Sequence, residues 1–171
     1  MGSGKSSVAR GVAHALGREL IDADDWVEKE QGMQVAEIFE RLGEAGFREI
    51  EERAVEKLCL QSGIVLSMGG GVVERECNRQ RLWQAGKVFY LHASPKTLWS
   101  RLQGDETRPL LKTGDPLKVL DELLKKRLSW YSQAHETIET DMMTVDEVVT
   151  EALKRLRSQR HGDTLPFFKP A

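Results

Sequence analysis

The stretch Gly2-Ser3-Gly4-Lys5-Ser6-Ser7 decides the fold. It matches the second half of the phosphate-binding pattern G-x-x-x-x-G-K-[ST]. In that pattern backbone N–H groups surround the phosphates, the Lys reaches the β- and γ-phosphates, and the hydroxyl binds Mg²⁺. A helical pattern follows directly, so the phosphates would meet a helix N-terminus, where unpaired N–H groups and the helix dipole favour anions. The stretch therefore predicts a phosphate-binding loop at the start of a helix, with Mg²⁺ beside it and contacts to the phosphates of a nucleotide from all six residues.

Composition limits the other classes of function. The chain has 171 residues, of which 40% are apolar and 30% charged, with a net charge of -2, which fits one globular domain. We expect no nucleic-acid or membrane partner, because the sequence has no basic excess and no long apolar run. Cys59 and Cys77 show no metal-like spacing, which favours reduced thiols in a cytoplasmic protein. We expect a monomer.

Strand and helix patterns alternate along the chain after the loop. Short apolar runs predict strands at 19–22, 63–67, 87–92 and 137–140, with helices between them. This order predicts a mostly parallel sheet with helices on both faces, a three-layer α/β/α architecture. Two stretches interrupt the rhythm: a helical insert at 24–60, with helices at 24–30, 35–42 and 46–60, and a polar, Gly-containing stretch at 104–115. An insert that holds an acceptor and a lid that excludes water suit a small-molecule kinase. Residues 161–171 are expected to form an irregular tail.

Two carboxylates close the first predicted strand. Asp22 and Asp24 would lie at the carboxyl end of a parallel strand, the edge that faces ligands in such sheets. Asp22 would orient Mg²⁺ through water, and Asp24 would hold an acceptor hydroxyl and take its proton. The alternative role for Asp22 and Asp24 is helix capping, and Asp25 is the better candidate for a purely local role.

Glycines and arginines supply the other candidate site residues. Gly69, Gly70 and Gly71 follow the most apolar strand, and three successive glycines predict a close approach of a ligand to the main chain. By spacing alone, solvated surface charges are expected at Arg48, Arg101 and Arg127. Arg108 is the exception, because an Arg on a lid can neutralise the charge of a transferring phosphoryl group.

Together these segments resemble the shikimate kinase family over nearly the whole chain. Gly2 to Ser6 looks like the family's phosphate loop, Asp22-Ala23-Asp24 like its D-x-D segment, and the segment from Gly46 to Glu51 like its F-R-x-x-E segment. Further matches are the glycine triplet at the end of a strand, the R-P-L-L of a lid, and the R-x-x-x-Y of a helix, carried by Gly69 to Gly71, Arg108 to Leu111, and Arg127 to Tyr131.

The resemblance implies transfer of phosphate from ATP to the 3-hydroxyl of shikimate, in the biosynthesis of aromatic amino acids. Asp24 would hold ring hydroxyls, while Arg48 and Arg127 would clamp the carboxylate of shikimate. The glycine triplet would present backbone N–H groups to the substrate. The nucleotide and its metal would be served by Lys5 and Arg108 at the phosphates, Arg101 along the adenine, and Ser6 and Asp22 at Mg²⁺.

The chain departs from the family at its start. The family's sheet has the strand order 2-3-1-4-5, and neither its central first strand nor the first Gly of its loop is present. We therefore expect that Met1 is an internal methionine of a longer natural chain, and loss of a central strand would threaten stability. Two other functions stay open: a kinase for another small polyol acid such as gluconate, and an inactive or truncated nucleotide-binding relative.

Overall fold

A computed structural model describes residues 2–103 and 115–158, and it shows helices that alternate with short strands. The strands are β1 (Glu19–Asp22), β2 (Ile64–Ser67), β3 (Phe89–His92) and β4 (Glu136–Glu139). The helices are α1 (Lys5–Leu16), α2 (Ala23–Gln31), α3 (Val35–Leu58), α4 (Glu76–Ala85), α5 (Pro95–Leu102), α6 (Pro116–Tyr131) and α7 (Val145–Ser158), with one 3₁₀ turn at Val72–Glu74. The predicted strands and the α/β alternation are confirmed.

All strand pairing in the described residues is parallel. β1 pairs with β2 so that Asp22 lies opposite Ser67, and β3 pairs with β4 so that His92 lies opposite Glu139. The strands form two pairs rather than one continuous sheet, and within the described ranges each has a single hydrogen-bonded neighbour. Parallel neighbours need a crossover, and helices supply it between successive strands.

Helices α1 and α7 hold the two strand pairs together. Val8 and Val12 of α1 and Val148 of α7 are buried in one cluster with Ile138 of β4. Side chains of β2 and β3, Val65 and Leu91 among them, pack against the same cluster. A single apolar layer therefore covers one face of both pairs, and it fixes where the phosphate loop at the start of α1 lies.

The helical insert has its own core. Val27 of α2 packs against Ile38, Phe47 and Ala54 of α3, all of them buried. The two helices predicted at 35–42 and 46–60 form one element that is interrupted at Gly43, whose φ of +67° and ψ of -177° are not helical. A positive φ favours glycine, so Gly43 permits the kink. The kink divides α3 and leaves Arg48 and Glu51 in its second half.

The ends of several elements differ slightly from expectation. α3 ends at Leu58 rather than at residue 60, and α6 ends at Tyr131 rather than at residue 134, because the chain turns there. The proposed lid at 104–115, apart from Asp115, and the tail at 161–171 lie outside the described residues. Among the residues that the structure describes, no helix is long and apolar enough to cross a membrane.

Candidate active site

The phosphate loop leads into α1 through glycines with a left-handed backbone. Gly2 has a φ of +70°, and Gly4 has a φ of +78° at the N-cap of α1. Lys5, Ser6 and Ser7 then form the first turn of α1, which carries no acidic side chain. The N–H groups of a first helical turn have no partner within the helix, so they can bind an anion. This geometry fits the predicted phosphate contacts of Gly2, Ser3, Gly4, Lys5, Ser6 and Ser7.

Two hydroxyls and a carboxylate meet next to this loop. The Ser6 hydroxyl donates to Asp22 Oδ2 at 3.1 Å, and it lies 3.4 Å from the Ser67 hydroxyl at the end of β2. Ser67 is only 4% exposed. Because Mg²⁺ prefers oxygen ligands and keeps several waters between itself and the protein, this donor set fits the predicted magnesium site.

Asp22 also caps a helix, the alternative role that the sequence left open for it. Its Oδ1 accepts from the backbone N–H of Asp24 at 3.1 Å, so Asp22 is the N-cap of α2. Asp25 lies inside the first turn of α2 and is exposed. Asp22 can cap α2 because the N-cap needs the extended backbone that the last residue of β1 has. One oxygen of Asp22 caps α2, and the other faces Ser6.

The glycine segment after β2 brings the predicted substrate residues together. A Cβ on Gly71 would lie 2.2 Å from Nη2 of Arg48, and a Cβ on Gly69 would lie 3.3 Å from Oδ1 of Asp24. A Cβ on Gly70 would lie 3.7 Å from Nη1 of Arg127. A side chain at Gly71 would collide with Arg48, whereas Asp24 and Arg127 approach the main chain of the segment less closely. Asp24, Arg48 and Arg127 all line the same segment.

Arg48 is held by carboxylates of its own helix. Its Nη1 donates to Glu51 Oε2 at 2.8 Å, and its Nη2 donates to Glu44 Oε1 at 3.1 Å. Its side chain is 13% exposed, so the expectation from spacing of a solvated charge was wrong. Burial raises the pKa of Glu51, and the neighbouring Arg48 offsets only part of that rise. A buried pair of this kind fixes the guanidinium plane against Gly71.

Arg127 of α6 pairs with a residue that sequence reasoning missed. Its Nε and Nη2 donate to Glu74 Oε1 at 3.0 and 2.6 Å. Lys126 donates to the other oxygen of Glu74 at 3.0 Å, and Nη2 of Arg48 lies 3.9 Å from Oε1. With a side chain only 16% exposed, Arg127 also contradicts the expectation from spacing. Burial raises the pKa of Glu74, but hydrogen bonds from Lys126 and Arg127 outweigh it and hold that pKa below its usual value.

An aromatic pair supports the same corner of the site. Tyr131, which follows Arg127 by one helical turn, donates its hydroxyl to Gly70 O at 2.8 Å. Its ring stacks on Tyr90 of β3 with the centroids 4.6 Å apart. Burial raises the pKa of Tyr90 to about 12. The stack therefore connects the glycine segment after β2 with the second strand pair.

Comparison with known proteins gives the family. The profile of the family described as "Shikimate kinase" matches residues 1–157. The chain belongs to the shikimate kinase family. A shikimate kinase from Thermodesulfovibrio yellowstonii is 38% identical over 164 residues, which cover 96% of this chain and 95% of that protein. Another, from Pseudomonas syringae pv. tomato, is 44% identical over 157 residues, which cover 91% of each chain.

A solved structure agrees with this assignment. The structure of a shikimate kinase from Acinetobacter baumannii in complex with shikimate superimposes with a TM-score of 0.90 at 36% identity, and it covers 94% of this chain and 90% of that one. The family and the P-loop α/β fold expected from the resemblance are therefore confirmed. As a member of the shikimate kinase family, the chain is an enzyme that uses ATP as its co-substrate.

Of the two remaining predicted site residues, the structure describes Arg101 but not Arg108. Arg101 is exposed, and its guanidinium donates to Thr140 Oγ1 at 3.2 Å and to Thr140 O at 2.6 Å, beside the end of β4. Its contact with adenine stays a prediction. Arg108 lies outside the described residues. Glu74 carried one sequence signal, an acidic residue three positions after the glycine triplet, and only the fold shows which cations it meets.

Proposed function

We propose that this chain transfers the γ-phosphoryl group of ATP to the 3-hydroxyl of shikimate, a reaction of aromatic amino-acid biosynthesis. The observation that carries the proposal is the convergence of Asp24, Arg48 and Arg127 on Gly69 to Gly71. The phosphate loop adjoins this segment, because the Ser67 hydroxyl, two residues before it, lies 3.4 Å from the Ser6 hydroxyl. An acid-binding corner thus adjoins a phosphate-binding one.

Two guanidinium groups suit a carboxylate substrate. A guanidinium forms two parallel hydrogen bonds with a carboxylate, whereas a Lys ammonium offers only a point charge. Arg48 and Arg127 come from α3 and α6, two helices on different sides of the glycine segment in sequence, yet both lie within 4 Å of Glu74. We assign them the carboxylate of shikimate, and we assign the backbone N–H groups of Gly69 to Gly71 a supporting role.

Asp24 is the candidate for the acceptor hydroxyl. It lies at the start of α2, half-buried, with its carboxylate close to Gly69. Phosphoryl transfer passes through a loose transition state, so a strong base gains little and the aim of the nucleophile matters more. Asp24 would hold the ring hydroxyl in line with the γ-phosphorus and accept its proton as the new bond forms.

Lys5, Ser6 and Asp22 would serve the nucleotide and its metal. Lys5 would neutralise the charge that spreads over the phosphoryl oxygens, as the Lys of such loops does. Ser6 and Asp22 would hold Mg²⁺, directly and through water, and the bound ion would supply further neutralisation of the phosphates. Arg108 lies in the stretch that the structure does not describe. The resemblance alone assigns it the role of bridging the phosphates of ATP.

The test is an ADP-release assay on this chain with shikimate, ATP and Mg²⁺, with gluconate as the competing acceptor. We expect turnover with shikimate and none above background with gluconate. Turnover with gluconate and none with shikimate would contradict the proposal and identify a kinase for another small polyol acid. Tight ATP binding in a titration without any turnover would identify an inactive nucleotide-binding relative instead.

A further inference from the structure

We infer that Glu74 is an internal carboxylate that occupies the Arg127 fork when the substrate is absent, and that the carboxylate of the substrate must displace it. The inference rests on the proposed function and names a specificity-determining residue for it. Glu74 would thereby compete with the carboxylate of a ligand for Arg127. This competition raises the dissociation constant of acidic ligands, and only those that also make the other contacts of the site would bind well.

The hydrogen-bond geometry places Glu74 where an acidic ligand would bind. Its Oε1 accepts from both Nε and Nη2 of Arg127, and the same oxygen lies 3.9 Å from Nη2 of Arg48. The Nε–Nη2 edge of Arg127, which could donate two parallel hydrogen bonds to a carboxylate ligand, is thus the edge that Glu74 occupies. Two carboxylates that shared it would repel each other strongly at such short range. The substrate can use this edge of Arg127 only after Glu74 leaves it.

A second partner makes the displacement feasible. Oε2 of Glu74 accepts from Lys126 at 3.0 Å, and the side chain of Lys126 is 57% exposed, compared with 16% for Arg127. Glu74 ends the short 3₁₀ turn, so rotation of its side chain would move it from the buried guanidinium toward the exposed ammonium. Because its charge stays paired with Lys126, the exchange would avoid leaving an unpaired buried carboxylate.

The ion pairs of Arg48 and Arg127 also support displacement of Glu74 from Arg127. Arg48 is already paired with Glu51 and Glu44, both on its own helix. Glu74, at the end of the short 3₁₀ turn, lies 2.6 Å from Nη2 of Arg127 but 3.9 Å from Nη2 of Arg48. Arg48 is therefore the fixed half of the clamp, and Arg127 is the half that Glu74 controls.

The experiment measures the dissociation constant of shikimate by calorimetry, without ATP. Glu74→Gln should lower it by about fivefold, the scale of one partly exposed ion pair. The matched control is Glu76→Gln, because the Glu76 carboxylate accepts a hydrogen bond from Gln80 of its own helix rather than from an arginine of the site. Lys126→Met should raise the dissociation constant of shikimate, since Glu74 loses its second partner. Lys125→Met should leave it unchanged, because the ammonium of Lys125 pairs with Asp121 instead of Glu74.

The two variants are then combined. In the Glu74→Gln background, Lys126→Met should no longer change the dissociation constant, because the competing charge is gone. The methyl ester of shikimate, which lacks the carboxylate charge, should bind wild type and Glu74→Gln equally well. Thermal melts of each variant check the fold, and the Lys126→Met comparison stands even if Glu74→Gln is unstable.

Specific outcomes would overturn the inference. A higher dissociation constant in Glu74→Gln would mean that Glu74 positions Arg127 for the substrate instead of competing with it. Equal effects of Lys126→Met with and without Glu74 would also contradict it. If the wild-type chain binds ATP but no shikimate, the proposed function fails and the inference fails with it. If the wild-type chain binds shikimate but the variants behave in either of the ways above, only the inference fails.

Discussion

Gly71 is the residue at which the site tolerates least change. Its φ of -83° is open to any amino acid, so the backbone does not demand glycine there. The guanidinium of Arg48 does, because a Cβ would lie within 2.2 to 2.5 Å of three of its atoms. The close approach locks the orientation of Arg48 against the main chain.

We therefore expect Gly71→Ala to damage activity more than stability. Arg48 would have to move by about 1 Å, a displacement that can cost roughly 10²-fold in kcat/KM, while the unfolding free energy falls by only about 1 kcal/mol. Steady-state kinetics and thermal melts measure both. Gly86→Ala is the control, since a Cβ there meets no atom within 4 Å and the φ of 177° is ordinary extended backbone. Unchanged kinetics in Gly71→Ala would refute the role of Arg48.

Arg127 offers a test of the carboxylate clamp itself. Arg127→Lys keeps the positive charge but loses the planar fork, so the KM for shikimate should rise by roughly 10- to 100-fold, the loss expected for a charge-assisted hydrogen bond. The KM for ATP should stay within about twofold, because the substitution removes a contact to shikimate and leaves the contacts to the nucleotide in place. Measured KM values for both substrates decide it, and an unaltered KM for shikimate would remove Arg127 from the clamp.

Between β1 and α2, one side chain serves two purposes. Asp22 ends the strand, caps the helix through Oδ1 and faces Ser6 through Oδ2. A carboxylate is the residue that does both, because a capping Asn would offer no second charged oxygen to a metal. The fold of this junction and its proposed chemistry therefore depend on the same residue.

Two substitutions at Asp22 should separate these purposes. Asp22→Asn keeps the cap, so the unfolding free energy should hardly change, but the half-saturating Mg²⁺ concentration should rise by about tenfold, as for other weakened metal contacts. Asp22→Ala should add the loss of the cap, about 1 kcal/mol. Magnesium titrations of activity and thermal melts give the two readouts. An unchanged Mg²⁺ requirement in both variants would contradict the metal role.

Across the whole molecule, ion pairs reinforce the connections that the apolar core makes between elements. Glu136 accepts from Lys87 at 2.9 Å and from Arg155 of α7 at 3.4 Å, so it ties β4 to the entry of β3 and to the last helix. The hydrogen bond from Lys87 holds the pKa of Glu136 below its usual 4.5. Asp141 also has a lowered pKa, because the backbone N–H of Ser94 donates to it.

Stability should therefore fall in acid. A carboxyl group whose pKa is lower in the folded state stabilises the fold above its unfolded pKa, and this stability is lost as the pH falls through the folded pKa. We expect the Tm to decrease from about pH 5 to about pH 3, and to decrease less in Glu136→Gln. Glu51, with its raised pKa, contributes in the opposite direction. Melts across this pH range test the sign, and a Tm that rises on acidification would contradict it.

Local sequence signals were enough for the helices and strands and for the place of the loop at the start of α1. The short apolar runs, the Ser94-Pro95 and Asp115-Pro116 starts, and the glycine-bounded first helix each depend on neighbours a few residues away, and the helix starts were placed correctly. The same holds for the loop at Gly2 to Ser7, whose pattern already contains the geometry of a helix N-terminus. Gly43 agrees with this as well, since its non-helical backbone divides α3 between the two helices that the sequence predicts.

Only the tertiary structure decided how the distant charges combine. Spacing alone makes Arg48 and Arg127 surface residues, because nothing local distinguishes a buried guanidinium from a solvated one; the glycine segment and Glu74, from other parts of the chain, bury and pair them. The same is true of Glu74 and Ser67, whose partners lie more than fifty residues away in sequence. Local residues determine which elements form, whereas the partners of a buried charge depend on how those elements pack.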